Sequence, residues 1–209
     1  MSARESILAR IAKARGPAAA ADIEDVIRRH PRGPIPPLEK NLAQRFGEQA
    51  TLLASDVVSA AAMAEVPGLA ARYLSERRLP MQAVCWPGLA ALDWQAAGIA
   101  VQARAARDAD LVGITGVFAG IAETGTLMLL SGPQTPATAS LLPETHIAVV
   151  EKTRIVATME DAWDRLREEH GKLPRAVNFV SGPSRTADVE QTVTLGAHGP
   201  YRVMIIVVG

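Results

Sequence analysis

The sequence contains little cysteine and few aromatic residues, and each shortage excludes a class of protein. Cys85 is the single cysteine among 209 residues. One thiol cannot form a disulfide or a cysteine-built metal site within one chain, and an iron–sulfur cluster needs about four thiolates. Aromatic residues make up only 4% of the chain, which leaves few stacking platforms for single-stranded nucleic acids.

The chain also lacks net charge and long apolar runs. Its 22 basic and 22 acidic residues balance, and no long basic block occurs, so nucleic acid is not an expected partner. No apolar run approaches the roughly 20 residues that a membrane-spanning helix needs. The N-terminal stretch MSARESILARIAKARG lacks the apolar core of a signal peptide. We therefore expect a cytoplasmic protein without a membrane span.

The sequence pattern divides the chain into two parts. Residues 1–40 are predicted to form an N-terminal helical appendage, in which Ser2 and Glu5 fit a capping box at the start of the first helix. Residues 18–30 have the spacing of a second helix, and the proline-rich segment 30–37 is interpreted as a connector. Residues 41–209 are predicted to form an α/β domain.

Short apolar runs alternate with alanine-rich helical patterns from about residue 50. This alternation predicts βαβ units and a mostly parallel sheet. The closing run VMIIVV has no polar alternation, which is typical of a strand covered on both faces. Two strands between residues 111 and 130, joined by a glycine-bearing turn, indicate an antiparallel departure from this pattern. Further strands are predicted at 51–55, MQAVCWP, IAVQARA, THIAVVEK and RAVNFVSG, and helices at 61–79, 89–98 and 158–170. In the last helix Thr158 is the predicted N-cap, Asp161 occupies position N3 and Gly171 ends the helix.

The first candidate site lies in GIAETGTLML, which contains Glu123, Thr124, Gly125 and Thr126. Ligands of open α/β sheets bind beyond the carboxyl ends of the strands, and we expect this loop to lie there. Glycine allows close backbone approach, and threonine hydroxyls donate hydrogen bonds. Partial burial of Glu123 would raise its pKa and suit it to acid, base or nucleophile chemistry. The alternative is a turn whose threonines cap backbone groups.

The second candidate site is SGPSRTADVE, which follows a predicted strand and is expected at the same edge of the sheet. Backbone N–H groups at Ser181 and Gly182 could form an anion-binding nest, to which Ser184 and Thr186 add hydroxyls and Arg185 adds charge. The alternative is a turn followed by a capped helical turn. Neither a Walker A pattern nor a Rossmann glycine fingerprint occurs. We expect the two loops, residues 123–126 and 181–190, to converge.

Histidines supply the remaining candidates. His198 stands between glycines, before Gly199, where it would be accessible and could titrate near neutrality. His198 and Glu123 are the best catalytic candidates, although a surface-loop histidine fits the pattern equally well. His146, at the start of a strand, and His170, at a helix C-terminus, are weaker candidates. The histidine and carboxylate spacing predicts no metal site.

Four segments together resemble the LUD domain family and, within it, the lactate-utilisation protein C group. They are GIAETGTLML, LLPETHIAVVEK, NFVSGPSRTADVEQTVTLGAHGP and the closing apolar strand. The resemblance implies a Rossmann-like, mostly parallel sheet with extra β-elements, similar to the ribose-phosphate isomerase, glucosamine-phosphate deaminase and CoA-transferase class. It assigns no established catalytic role to the motif positions, which are Glu123, Thr124, Gly125, Thr126, Ser181, Gly182, Pro183, Ser184, Thr186, Asp188, Glu190, His198, Gly199 and Pro200.

The same resemblance implies a part in the oxidation of L-lactate to pyruvate. Proteins of this group act beside two partners that resemble iron–sulfur oxidoreductase subunits. The clusters are therefore expected in those partner subunits, with no cofactor in this chain. One hypothesis is an accessory subunit that binds a small carboxylate or phosphorylated ligand. The alternative is a stand-alone enzyme of the isomerase or CoA-transferase type, with Glu123 as nucleophile or base, and the sequence leaves this choice open.

Overall fold

The structure is a computed structural model that describes residues 2–15, 37, 41–186, 194–196 and 198–209. The chain divides into two compact units, residues 1–37 and 38–209. In the first unit, helix α1 covers Ala3–Arg15. Its predicted capping box is confirmed, because Ser2 N–H donates to Glu5 Oε2 (2.7 Å) and Glu5 N–H donates to Ser2 Oγ (3.3 Å). The predicted second helix and the connector, apart from Pro37, lie outside the described residues.

The second unit is built from helices and two main sheets. Its helices are α2 (Leu42–Leu52), α3 (Val66–Glu76), α4 (Thr138–Leu141) and α5 (Met159–His170). Its strands are β1 (Asp56–Ala60), β2 (Gln82–Cys85), β3 (Ala100–Ala103), β4 (Val112–Gly116), β5 (Ala119–Ile121), β6 (Thr126–Leu130), β7 (Thr145–Glu151), β8 (Ile155–Val156), β9 (Val177–Val180), β10 (Arg185–Thr186), β11 (Thr194–Leu195) and β12 (Arg202–Val208).

The larger sheet has six strands in the order β1-β12-β7-β4-β2-β3, and every pairing in it is parallel. Thr145 pairs with both Arg202 and Val112, so β7, β12 and β4 begin at the same edge. We call this the amino edge, and the opposite side, where these strands end, the carboxyl edge. The predicted α/β class with a mostly parallel sheet is confirmed, as is the two-sided burial of the closing strand, β12.

The second sheet has the order β8-β5-β6-β9. Strand β6 is antiparallel to both β5 and β9, whereas β5 is parallel to β8. The antiparallel departure predicted between residues 111 and 130 is therefore confirmed, but β6 pairs with β5 and not with β4, which belongs to the parallel sheet. Strand β9 was expected to follow the parallel pattern, but it lies in this second sheet and runs against β6.

Three buried clusters hold these layers together. Helix α3 packs on one face of the parallel sheet. The other face, helix α2 and the inner face of the second sheet share a core in which Phe46 is fully buried. Helix α5 covers the outer face of the second sheet. It begins at the predicted capping box of Thr158 and Asp161 and ends at Gly171, whose φ is 63°.

Two predicted elements are wrong for reasons of tertiary packing. Residues 51–55 are not a strand, because α2 continues to Leu52 and β1 begins only at Asp56. Residues 89–98 form turns rather than a helix. There Trp94 is buried in the core and its indole N–H donates to the Leu89 carbonyl (2.8 Å), so packing of the indole outweighs the helical preference of the surrounding alanines.

Candidate functional site

The turn between β5 and β6 contains the first predicted motif and packs against helix α2. Gly125 adopts a φ of +68°, and a Cβ atom at this position would lie 2.2 Å from the Ala50 backbone nitrogen. Only glycine fits so close to another backbone in the left-handed region. The Thr124 hydroxyl donates to Thr126 Oγ1 at 2.8 Å. The glycine of this motif therefore has a packing role.

The second predicted loop meets the first one. Thr126 Oγ1 and Ser181 Oγ share a hydrogen bond of 2.8 Å, so the predicted convergence is confirmed for these residues. Gly182 has a φ of +76°, and its Cβ position would lie 2.1 Å from the Leu53 carbonyl oxygen. Arg185 Nη2 donates to that same oxygen at 3.0 Å. Both loops thus close around the C-terminal end of α2.

The rest of the second loop folds back on itself. Ser184 N–H donates to the Pro200 carbonyl at 2.7 Å, and β10 pairs with β11. Gly199 lies beside Ser184, because its Cβ position is 3.3 Å from Ser184 Cβ, and His198 is exposed. Pro183 is buried and Thr186 belongs to β10. The candidates Asp188 and Glu190 lie outside the described residues.

The expected position of the two loops at the carboxyl edge is wrong. Leu53 lies three residues before β1 and Pro200 lies two residues before β12, so the contacts of both loops lie at the amino edge. The physical reason is the direction of β9, which runs antiparallel to β6 in the second sheet. Ligand binding by these loop residues stays a prediction.

Glu123 is the candidate whose role a single substitution can test. Its side chain is half-buried, its backbone N–H donates to the Ala157 carbonyl (2.9 Å), and its carboxylate accepts no hydrogen bond from the described residues. We therefore expect Glu123→Gln to change the free energy of unfolding by less than about 1 kcal/mol. If Glu123 serves a ligand, lactate-dependent growth should fall tenfold or more in the same variant. Unchanged growth would end its functional assignment.

A cleft of about 570 Å³ lies at the carboxyl edge, where ligands of open α/β sheets bind. Among the described residues, the two candidate loops and His198 do not line it, whereas the weaker candidate His170 does. Its wall comes from the ends of parallel strands and the connections that follow them, including Met63 after β1, Trp86 after β2, Gly116–Phe118 at the end of β4, and Glu151 of β7. Residues 130–135, at the end of β6, complete it. The β5–β6 hairpin therefore contacts the cleft with its open end and carries Glu123 at the other.

The apolar side of the cleft is fixed by Trp86. This side chain is only 7% exposed, and its indole N–H donates to the Pro136 carbonyl at 3.1 Å. The hydrogen bond ties the end of β2 to the segment that follows β6. That segment is itself closed by two backbone hydrogen bonds between Gly132 and Thr135, of 3.1 and 3.2 Å. The Ser131 hydroxyl accepts from Ala176 N–H at 2.8 Å. These intramolecular contacts make this wall of the cleft preformed.

The charged side of the cleft is organised around Phe118. The Arg154 guanidinium carbon lies 5.6 Å from the centroid of the Phe118 ring, and the His170 ring centroid lies 5.6 Å from it. Arg154 Nη1 donates to both carboxylate oxygens of Glu169 at 2.7 Å. Hydrogen bonds from Arg154, and then from Arg165, lower the pKa of Glu169 to about 2. Glu169 therefore stays ionised and holds Arg154 in place.

Arg154 has donor groups left over for a ligand. Both hydrogen bonds that it donates among the described residues come from Nη1. A guanidinium has five N–H donors in a planar fork that matches a carboxylate. Its Nε and Nη2 groups donate no hydrogen bond within the described residues, so they remain as donors for an anion.

His146 is buried in the parallel sheet and lines neither the cleft nor the two motif loops. The side chain has no exposed surface, and its Nε2 shares a 2.8 Å hydrogen bond with Thr115 Oγ1. Its Nδ1 is buried without a partner. Burial lowers the pKa of His146 to about 4. The histidine is therefore neutral at pH 7, and we assign it a structural place.

This buried histidine predicts a loss of stability in mild acid. Between pH 6.5 and pH 4 the unfolded chain protonates His146 and the folded chain does not, so stability falls as the pH falls through that window. A pKa lowered to about 4 corresponds to about 3 kcal/mol. Urea titrations at pH 7 and pH 4.5 should show this loss in the wild type and a smaller loss in His146→Leu. Equal losses in both proteins would contradict the prediction. The lowered pKa of Glu169 makes it lose its stabilising contribution mainly below pH 4.5, and that loss is common to both proteins.

The described residues offer neither a cluster of metal ligands nor a membrane-spanning helix. They contain no group of three or more histidine, cysteine or carboxylate side chains placed to hold a metal ion. Over the same residues, no helix has the length and apolar character to cross a membrane.

Comparisons with known proteins agree with this architecture. A crystal structure of a DUF162 family protein from Deinococcus radiodurans superimposes with a TM-score of 0.62 at 26% identity, covering 83% of this chain and 100% of that one. The curated protein named Lactate utilization protein C from Bacillus subtilis (strain 168) is 36% identical over 128 residues, which are 59% of this chain and 53% of the relative.

A second relative of the same name, from Shouchella clausii (strain KSM-K16), is 41% identical over 99 residues, covering 46% of this chain and 43% of the relative. The chain thus spans about half the length of the curated relatives that it matches. The LUD domain profile matches residues 74–208, which include β2 to β12, the cleft's central strands and both motif loops. Because this match covers more than half of the sequence, the chain belongs to the LUD domain family.

Proposed function

We propose that this protein serves lactate utilisation as an accessory subunit that binds a small carboxylate for a system oxidising L-lactate to pyruvate. The names of the relatives that match about half of its length support the lactate part of the proposal. The observation that carries the binding part is the carboxyl-edge cleft, whose rim holds Arg154 with Nε and Nη2 available.

The cleft suits the carboxylate chemically. Charge-assisted hydrogen bonds from a guanidinium to a carboxylate are stronger than neutral ones, and Glu169 already orients the donor. The Ser131 hydroxyl, which accepts a backbone hydrogen bond, keeps its own proton to donate to a hydroxyl or keto oxygen. The ligand's methyl group would lie on the apolar wall beside Trp86.

The electrons of the reaction need another carrier. Oxidation of lactate to pyruvate releases two electrons and two protons. Cys85 is the only thiol of this chain, and burial raises its pKa, which disfavours the thiolate that ligates iron. From the resemblance to the lactate-utilisation protein C group, we propose that two iron–sulfur oxidoreductase-type subunits carry the clusters and that this chain presents or senses the acid.

Binding and association test this proposal separately. The purified chain should gain thermal stability from L-lactate or pyruvate, because a ligand that binds only the folded state raises the melting temperature. A tagged chain purified from lactate-grown cells of its source should bring down two proteins that contain iron and acid-labile sulfide. Absence of both effects would refute the proposal.

A further inference from the structure

The size of the carboxyl-edge cleft exceeds what a three-carbon acid needs. Clefts of roughly 300–1,000 Å³ are those that hold drug-sized ligands, and this one measures about 570 Å³. Lactate bound at Arg154 would leave most of it unfilled. The remaining wall is largely apolar and includes Met63, Trp86, Leu89 and Val117.

The charges around the cleft limit the ligand to a single negative charge. Arg154 and Glu151 line it with opposite signs. Behind the wall, Glu169 pairs with both Arg154 and Arg165. These four groups sum to no net charge, so a phosphate dianion would meet no excess of positive charge and would lie against Glu151. A monocarboxylate needs only the open side of one guanidinium.

We infer that the cleft selects 2-hydroxy or 2-oxo monocarboxylates whose side chains are longer than the methyl group of lactate. The inference rests on the proposed function, which places the carboxylate at Arg154. The 2-oxygen accepts from the Ser131 hydroxyl or from the His170 imidazole, both of which line the cleft. The side chain extends over Trp86 toward Met63 and Leu89.

Affinity should therefore rise with the length of the apolar side chain. Each buried methylene strengthens binding by about threefold. L-2-Hydroxyisocaproate has three more carbons than L-lactate, so we expect it to bind at least tenfold more tightly. 4-Methylpentanoate has the same chain without the 2-hydroxyl and should bind more weakly than L-2-hydroxyisocaproate. Glycerol 3-phosphate, a dianion of similar length, should bind more weakly than either.

Calorimetric titration of the full chain with these three compounds and L-lactate tests the inference. The variant Gly116→Val adds a side chain to the cleft wall, where a Cβ would meet only the Trp86 ring at an ordinary 3.6 Å. It should lower affinity for L-2-hydroxyisocaproate about tenfold, a larger factor than for L-lactate, because the added side chain takes up the space of the longer chain. Gly68→Val, whose Cβ would meet nothing within 4 Å, is the matched control outside the cleft.

The possible results separate the inference from the proposed function. Tighter binding of the longer 2-hydroxy acid, reduced in Gly116→Val, supports the inference. Equal affinity for L-lactate and L-2-hydroxyisocaproate overturns it and leaves the proposed function standing. Tightest binding of glycerol 3-phosphate overturns the charge argument. If the wild type binds none of the acids, both the proposed function and the inference are refuted. If Gly116→Val does not fold, the affinities of the wild type for the series of ligands still test the inference.

Discussion

Replacing Arg154 with Gln is expected to weaken the binding of lactate and pyruvate by about ten- to a hundredfold. Hydrogen bonds to a charged group contribute roughly 1.5–3 kcal/mol, which corresponds to that range. Arg154 is the arginine lining the cleft within the described residues. Glutamine keeps a hydrogen-bond donor but removes the charge and the planar fork. Calorimetric titration of the purified variant with L-lactate and pyruvate measures the change.

Arg165→Gln is the matched control for this experiment. Arg165 also pairs with Glu169, at 2.8 Å, but does not line the cleft. Both substitutions therefore remove one partner of the same carboxylate, and we expect similar small losses of stability from these partly exposed ion pairs. Affinity should fall only in Arg154→Gln. Equal affinities of the two variants would remove Arg154 from the binding site.

The second large effect concerns the motif glycines. Gly125→Ala and Gly182→Ala are each expected to destabilise the fold by about 3 kcal/mol or more, or to prevent folding. Their Cβ atoms would lie 2.2 Å from the Ala50 nitrogen and 2.1 Å from the Leu53 oxygen. Because these are backbone atoms, the loop and helix α2 must separate, which adds overpacking to the left-handed strain. Denaturant midpoints measure the loss.

Gly98→Ala distinguishes packing from backbone strain. Gly98 has a φ of +76°, the same as Gly182, but its Cβ would meet nothing within 4 Å. This control should lose only about 1 kcal/mol, the cost of placing alanine in the left-handed region. If Gly125→Ala and Gly182→Ala lose no more than Gly98→Ala, the motif glycines are not needed for packing. Close approach of a ligand to the backbone would then be the remaining reason for glycine at these two positions.

Local patterns in the sequence were sufficient for most elements of the fold. The capping box of Thr158 and Asp161 and the stop at Gly171 depend only on neighbouring residues, so the bounds of α5 were predictable. The unbroken apolar run in β12 likewise identified a strand buried on both faces. The helix predicted at 89–98 failed because burial of Trp94, which the sequence does not reveal, decides the backbone there.

The location of the candidate site depended on strand direction, which no local pattern encodes. Ser-Gly-Pro occurs twice, at 131–133 after β6 and at 181–183 after β9. Because β6 and β9 are antiparallel neighbours, the two segments lie at opposite ends of the second sheet. The first lines the carboxyl-edge cleft, and the second packs against α2 at the amino edge. The repeated tripeptide was a sequence signal for segment 131–133, which the sequence analysis did not select. The strand pairing was needed to show that this copy, and not the one at 181–183, lines the cleft.

A titration of ¹⁵N-labelled protein with pyruvate locates the carboxylate-binding site. If pyruvate binds in the cleft, the Trp86 indole N–H and the Gly116 and Thr135 amides, which belong to residues lining the cleft, should show concentration-dependent shifts. The amides of Gly125 and Gly182, at the amino edge, should stay unchanged. Shifts confined to Gly125 and Gly182, with the cleft signals unmoved, would rule out binding in the cleft and place the ligand at the motif loops.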